Sequence, residues 1–182
     1  MELDSGNTIL IVMDIQERLF SVMPETRGEM VKNCKKLLKT AKVLDVPVIV
    51  TEQYPQGLGP TIKEISETLP DSTKMLSKVE FSCANNEQIA NMIEKMDRKN
   101  IVICGLETHV CIYQSSRDLA KKGYSVYVPI DAVHSRKKID WKTGVKMIEK
   151  MGAATTTETI IFDLLKTAER QEFREINKIL KE

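Results

Sequence analysis

The 182-residue chain has 42% hydrophobic and 29% charged residues, the balance of a folded globular protein and not of a disordered or fibrous one. Its formal net charge of +1 gives no broad pull toward nucleic acid or an anionic membrane. No apolar run approaches the roughly 20 residues a membrane-spanning helix needs.

The opening Met1-Glu-Leu-Asp-Ser-Gly6 is acidic and has no basic region leading into an apolar stretch, so no secretory signal is expected. Thr8–Met13 is an apolar run too short for a helix, which predicts a strand buried on both faces and followed by Asp14. From Val31 to Leu44, apolar residues at 31, 34, 37, 38, 41 and 44 make a helical stripe with lysines between them. Asp45-Val-Pro47 stops that helix, and residues 46–51 read as a second strand. The turn-rich segment 54–60 follows, with Thr61 as the N-cap of a short helix.

Lys74–Lys78 is a third, shorter strand with weak periodicity. A helix over 85–96 turns Ile89, Met92, Ile93 and Met96 inward, and Ile101–Cys104 is the fourth strand. His109–Lys122 is a helix closed by Gly123, and Ser125–Pro129 the fifth strand. A helix over 140–150, a short sixth strand at 153–155, and helices over 158–165 and from 169 onward complete the chain. Alternating strands and helices predict an α/β fold: one domain over 1–182, a three-layer αβα sandwich around a mostly parallel, roughly six-stranded sheet. Cysteines at 34, 83, 104 and 111 show no paired CxxC spacing, which predicts reduced thiols and a cytoplasmic protein.

In such sheets ligands bind beyond the carboxyl ends of the strands, where strand order reverses. Cys111 follows a strand and a glycine turn at the start of a helix, where the helix dipole and free N–H groups favour a thiolate. Cys34 and Cys104 lie within apolar patterns and read as core thiols. Asp14 is either an N-cap or a carboxylate facing the same crevice, and Lys78 taken alone reads as solvated surface. His109 is too near Cys111 in sequence to serve easily as its base, which leaves a carboxylate as the natural proton acceptor. Gln53, Tyr54 and Phe81 are positioned to line a substrate pocket, and packing is an equal reading for Tyr54 and Phe81.

Five segments recur together in one order: Leu10-Ile-Val-Met-Asp14-Ile-Gln-Glu17, Thr51-Glu-Gln-Tyr-Pro-Gln-Gly-Leu-Gly-Pro-Thr61, Lys78-Val-Glu-Phe-Ser82, Cys104-Gly-Leu-Glu-Thr-His-Val-Cys111 and Asp131-Ala-Val-His-Ser-Arg136. The set resembles the isochorismatase-like cysteine hydrolase superfamily, which includes nicotinamidases, over nearly the whole chain. The resemblance implies a triad of Asp14 as base, Lys78 as its cationic partner and Cys111 as nucleophile. It also implies a cis peptide at Leu106–Glu107 and an oxyanion hole from the N–H groups of Glu107 and Cys111.

Related nicotinamidases often bind a metal through an aspartate and histidines after the second strand. Residues 52–59 here contain no histidine, so neither a metal nor a cofactor is expected. The implied activity is metal-independent cleavage of a C–N bond in a small molecule through a Cys111 thioester. Replacing Asp14 by asparagine is expected to suppress turnover and leave folding intact. A non-catalytic binding or scaffold protein, and a thiol-independent ether hydrolase, are the alternatives. The expected partners are a small-molecule substrate and further copies of the chain, with helices 85–96 and 173–180 as candidate subunit contacts; neither nucleic acid nor membrane is among them.

Overall fold

The computed structural model describes residues 2–182. Strand β1 (Thr8–Met13) is buried at every residue and runs through the middle of a seven-stranded sheet. Helices α1 (Glu17–Ser21) and α2 (Arg27–Val43) lead to β2 (Val48–Gln53), and α3 (Pro55–Leu58) and α4 (Lys63–Ser66) lead to β3 (Lys74–Lys78). Then come α5 (Glu87–Lys95), β4 (Asn100–Leu106), α6 (Tyr113–Lys121) and β5 (Ser125–Pro129). The two-residue strands β6 (Val133–His134) and β7 (Ala154–Thr155) stand before and after α7 (Lys138–Lys150) in sequence. Helices α8 (Thr157–Leu165) and α9 (Phe173–Lys181) follow.

The strands lie in the order β3-β2-β1-β4-β5-β7, with β6 alongside the end of β4, and all of these pairings are parallel. Side chains alternate across a strand, so a run covered on both faces must be apolar throughout. Ile9, Ile11 and Met13 join Ile49, Ile101 and Ile103 under α5, α6 and α7. Leu10 and Val12 join Val50, Val102 and Cys104 under α2, α8 and α9. Each fully buried leucine or isoleucine contributes about 1.5–3 kcal/mol, so these two layers hold the sheet rigid beneath its carboxyl edge.

The structure corrects several expected boundaries. The sheet has seven strands because Val133–His134 pairs with Gly105 and Leu106, and a two-residue strand carries no period to read. Thr61 caps nothing; Ile62 is the N-cap residue of α4, and the Thr61 N–H and hydroxyl donate to Glu52 Oε1 at 2.7 and 2.8 Å. The expected helix over 109–122 starts as a π-helical turn, Thr108–Ile112, before α6 begins at Tyr113. The helical stripes proposed as subunit contacts are used internally, since Ile89, Ile93, Ile176 and Ile179 are all buried within this chain.

β4 meets β1 so closely at Gly105 that only glycine fits. Its φ is +117°, and an added Cβ would stand 2.1 Å from the Met13 carbonyl oxygen. Gly105→Ala is therefore expected to cost roughly 3 kcal/mol or more. The check is the urea midpoint of unfolding, and an unchanged midpoint would contradict the contact.

Candidate active site

β1 delivers Asp14 to the carboxyl edge of the sheet, between β2 and β4. That is where strand order reverses, so the chain turns away in opposite directions and leaves a crevice. Asp14 adopts a left-handed φ of 54°, which an aspartate tolerates better than most residues but still at a cost. Its N–H donates to Thr51 O at 3.0 Å, and its carbonyl accepts from Gln16 N–H at 2.9 Å. The side chain is fully buried, accepting from Thr51 Oγ1 at 2.6 Å and from Lys78 Nζ at 2.7 Å.

Lys78 ends β3, and its side chain is as buried as the carboxylate it pairs with. The same ammonium donates to Gln53 Oε1 at 2.5 Å. Burial pushes the Asp14 pKa up, against the opposing pull of Lys78 and the hydrogen bonds from Thr51 and Cys111. A carboxylate held this way is a stronger base than one in water.

Cys111 enters from the other side. β4 ends at Leu106, the Leu106–Glu107 peptide is cis, and the π-helical turn carries the thiol back toward β1. The turn is closed by Ile112 N–H donating to Glu107 O at 3.2 Å; π-type turns inserted at helix ends recur at functional sites. Asp14 and Lys78 both act on the thiol, which is 6% exposed. Its pKa is pushed up to about 12, first by burial and then by the Asp14 charge, with Lys78 opposing. Burial therefore works against the thiolate expected from helix position, because Cys111 lies inside a buried turn.

Glu107 is buried, and its Oε1 accepts from the Arg136 N–H and Nε, each at 3.0 Å. His109 Nδ1 lies 3.0 Å from Ser135 Oγ, so Glu107 and His109 both tie the 131–136 loop to the turn that carries Cys111. From behind, Gly144 of α7 packs against the same turn; a Cβ there would stand 2.9 Å from His109 Cα. Tyr54 lines a shallow cleft of about 240 Å³ with Pro55, Gln56, Ser77, Lys78, Val79 and Asn86. Phe81, about half exposed, does not line that cleft. Gln53 points its amide at Lys78.

Residues 8–159 match the isochorismatase domain. The chain belongs to the isochorismatase family. It is 36% identical to isochorismatase domain-containing protein 2 of Xenopus laevis, covering 100% of this chain and 87% of that protein. It is 37% identical to the secreted isochorismatase effector Isc1 of Phytophthora sojae (strain P6497), over 97% of this chain and 85% of the effector. Among solved structures it resembles the MAR1 ribonuclease of Caenorhabditis elegans, with a TM-score of 0.93 and 32% identity over 100% of this chain and 93% of that one.

For an isochorismatase-family chain, the segment after β2 is where a metal would be sought. It does not fit one: residues 52–59 have no imidazole, and the carboxylate of Glu52 is engaged by Thr61. Among the described residues no three His, Cys, Asp or Glu side chains cluster as a metal ion requires. We derive no step through a metal.

Gln16, Gly144 and Arg136 also support the site; Gln16 and Arg136 stand in the segments that carry the family resemblance, without a role assigned to them there, and Gly144 lies outside those segments. For Gln16 the available signal was a polar residue two positions beyond a wholly apolar strand, and for Gly144 a glycine inside a helical pattern.

The raised thiol pKa makes a kinetic prediction. Iodoacetamide should label Cys111 before the fully buried Cys34 and Cys83. The rate should climb about tenfold per pH unit from about pH 6 to 9, without a plateau. Peptide mass mapping across that range is the check. A plateau near neutral pH, or first labelling at Cys34 or Cys83, would contradict the assignment.

Proposed function

We propose that this chain is one isochorismatase-like hydrolase domain over residues 1–182 that cleaves a C–N bond of a small amide through a thioester on Cys111. The observation that carries this reading is the fully buried Asp14–Lys78 ion pair at the carboxyl edge of the sheet, to which the π-helical turn after β4 returns Cys111. Asp14 takes the thiol proton as Cys111 Sγ bonds to the substrate carbonyl carbon. The N–H groups of Glu107 and Cys111 hold the resulting oxyanion. As the intermediate collapses the C–N bond breaks, and Asp14 returns the proton to the leaving nitrogen. Water then gives a proton to Asp14 and attacks the thioester; the C–S bond breaks and Asp14 reprotonates the sulfur. Lys78, paired with Asp14 at 2.7 Å, opposes the upward push of burial and so favours the carboxylate form of the base.

Tyr54 is the proposed apolar contact for substrate at the mouth; Phe81, expected there too, lies outside the cleft. The reading is a metal-free and cofactor-free cycle in a cytoplasmic homo-oligomer. Among the described residues no helix is long and apolar enough to cross a membrane. The oligomer would use exposed Met75, Val79 and Phe81 near the β3 edge, since the stripes of α5 and α9 are already buried.

The test is a panel of small carboxamides, ureas and carbamoyl compounds, followed by ammonia or amine release. A short oligoribonucleotide is included because the Caenorhabditis elegans relative is named a ribonuclease. Release from one carboxamide class, lost in Cys111→Ala, supports the reading. Ether hydrolysis that survives Cys111→Ala, RNA cleavage, or a co-purified metabolite with no turnover on any compound would overturn it.

A further inference from the structure

We infer that Gln16 and Gln53 are positioning residues, forming an amide relay that aims the Lys78 ammonium at Asp14 and Cys111. This rests on the Asp14–Lys78–Cys111 reading above. Gln16 is fully buried and grips the backbone of Gln53 from both sides. Its Oε1 accepts from Gln53 N–H at 2.7 Å, and its Nε2 donates to Gln53 O at 3.0 Å. The same Nε2 donates to Gly59 O at 2.7 Å, which ties the loop after β2 into the relay.

Gln53, its backbone so fixed, grips β3. Its Oε1 accepts from Lys78 Nζ at 2.5 Å, and its Nε2 donates to Val79 O at 2.8 Å. Gln53 and Lys78 are also register partners between β2 and β3. Both ends of the Gln53 amide are therefore occupied by the strand that carries the lysine. A lysine side chain is a flexible four-carbon stem, and its head has three donors to place. Asp14 and Gln53 take two of them in directions set by β1 and β2, which fixes the head beside the thiol. Gln16 stands two residues beyond Asp14, so one short turn after β1 positions the base and, through Gln53, its cation. Gln53 thus acts on the chemistry through Lys78 and not by touching substrate.

A double-mutant cycle on the full chain tests this, with iodoacetamide as the probe and the rate of Cys111 alkylation read by intact mass across pH. Gln53→Met keeps the side chain's length and removes both the acceptor for Lys78 and the donor to Val79 O. Losing a hydrogen bond to a charged group should slow alkylation about tenfold at pH 7 and move the pH profile upward. In a Lys78→Met background the same change should alter the rate less than about twofold, because nothing is left to position. An equal factor in both backgrounds, or no effect in either, overturns the relay. If Lys78→Met itself leaves the alkylation profile unchanged, it is the triad that fails. Gln53→Ala is read identically if Gln53→Met does not fold, and circular dichroism establishes that each variant does.

Discussion

Asp14→Asn is expected to lower turnover by about 10²–10⁴-fold, the span a positioned general base supplies. It should also weaken the fold, which differs from what the sequence alone implied. The Lys78 ammonium is fully buried, and asparagine leaves it without a counter-charge. Removing one member of a buried pair costs about 3–5 kcal/mol, because the orphaned charge stays out of water. Thr51 Oγ1 and Lys78 Nζ donate to separate carboxylate oxygens, and asparagine keeps only one of those two acceptors. Urea unfolding and steady-state turnover check the two parts separately. Wild-type turnover in a folded Asp14→Asn protein would remove Asp14 from the chemistry.

Lys78→Met produces the mirror-image defect, and its pH dependence has a definite sign. The lysine opposes burial at Asp14, so its loss raises the folded-state Asp14 pKa further above the ordinary 3.8. A carboxyl whose pKa is raised on folding lends its stability below the unfolded value and loses it as pH rises through the folded value. Lys78→Met should therefore be destabilised by about 3–5 kcal/mol near pH 8 and by progressively less toward pH 4. Turnover near neutral pH should fall as well, because Asp14 becomes protonated and cannot accept from Cys111. Chemical denaturation at several pH values checks this. A deficit that grows on acidification would contradict a buried, lysine-dependent carboxylate.

Much of the fold was legible because strands covered on both faces must be apolar, and Thr8–Met13 has no other way to be buried so completely. The candidate site came from the family resemblance, since Lys78 taken alone reads as solvated surface. Asp14, Lys78 and Cys111 sit at or beyond the ends of strands, and parallel order brings those ends to one edge of the sheet. The protonation state of Cys111 was not legible. Helix position and desolvation oppose each other there, and only the depth of the turn decides between them. The π-helical turn and β6 were also hidden, since both depend on what packs against them: Gly144 of α7 in one case, Gly105 and Leu106 in the other. Gln53, expected just past a strand ending at residue 51, is the last residue of β2, and its amide is turned toward Lys78.

The most direct measurement is acid quenching of the enzyme during turnover of a reactive small carboxamide, followed by peptide mass analysis. The expected result is an acyl group on the peptide containing Cys111, formed as fast as product appears and missing in Cys111→Ala. Product formed at an undiminished rate by Cys111→Ala, with no acylated peptide in the wild type, would contradict thioester chemistry at this turn.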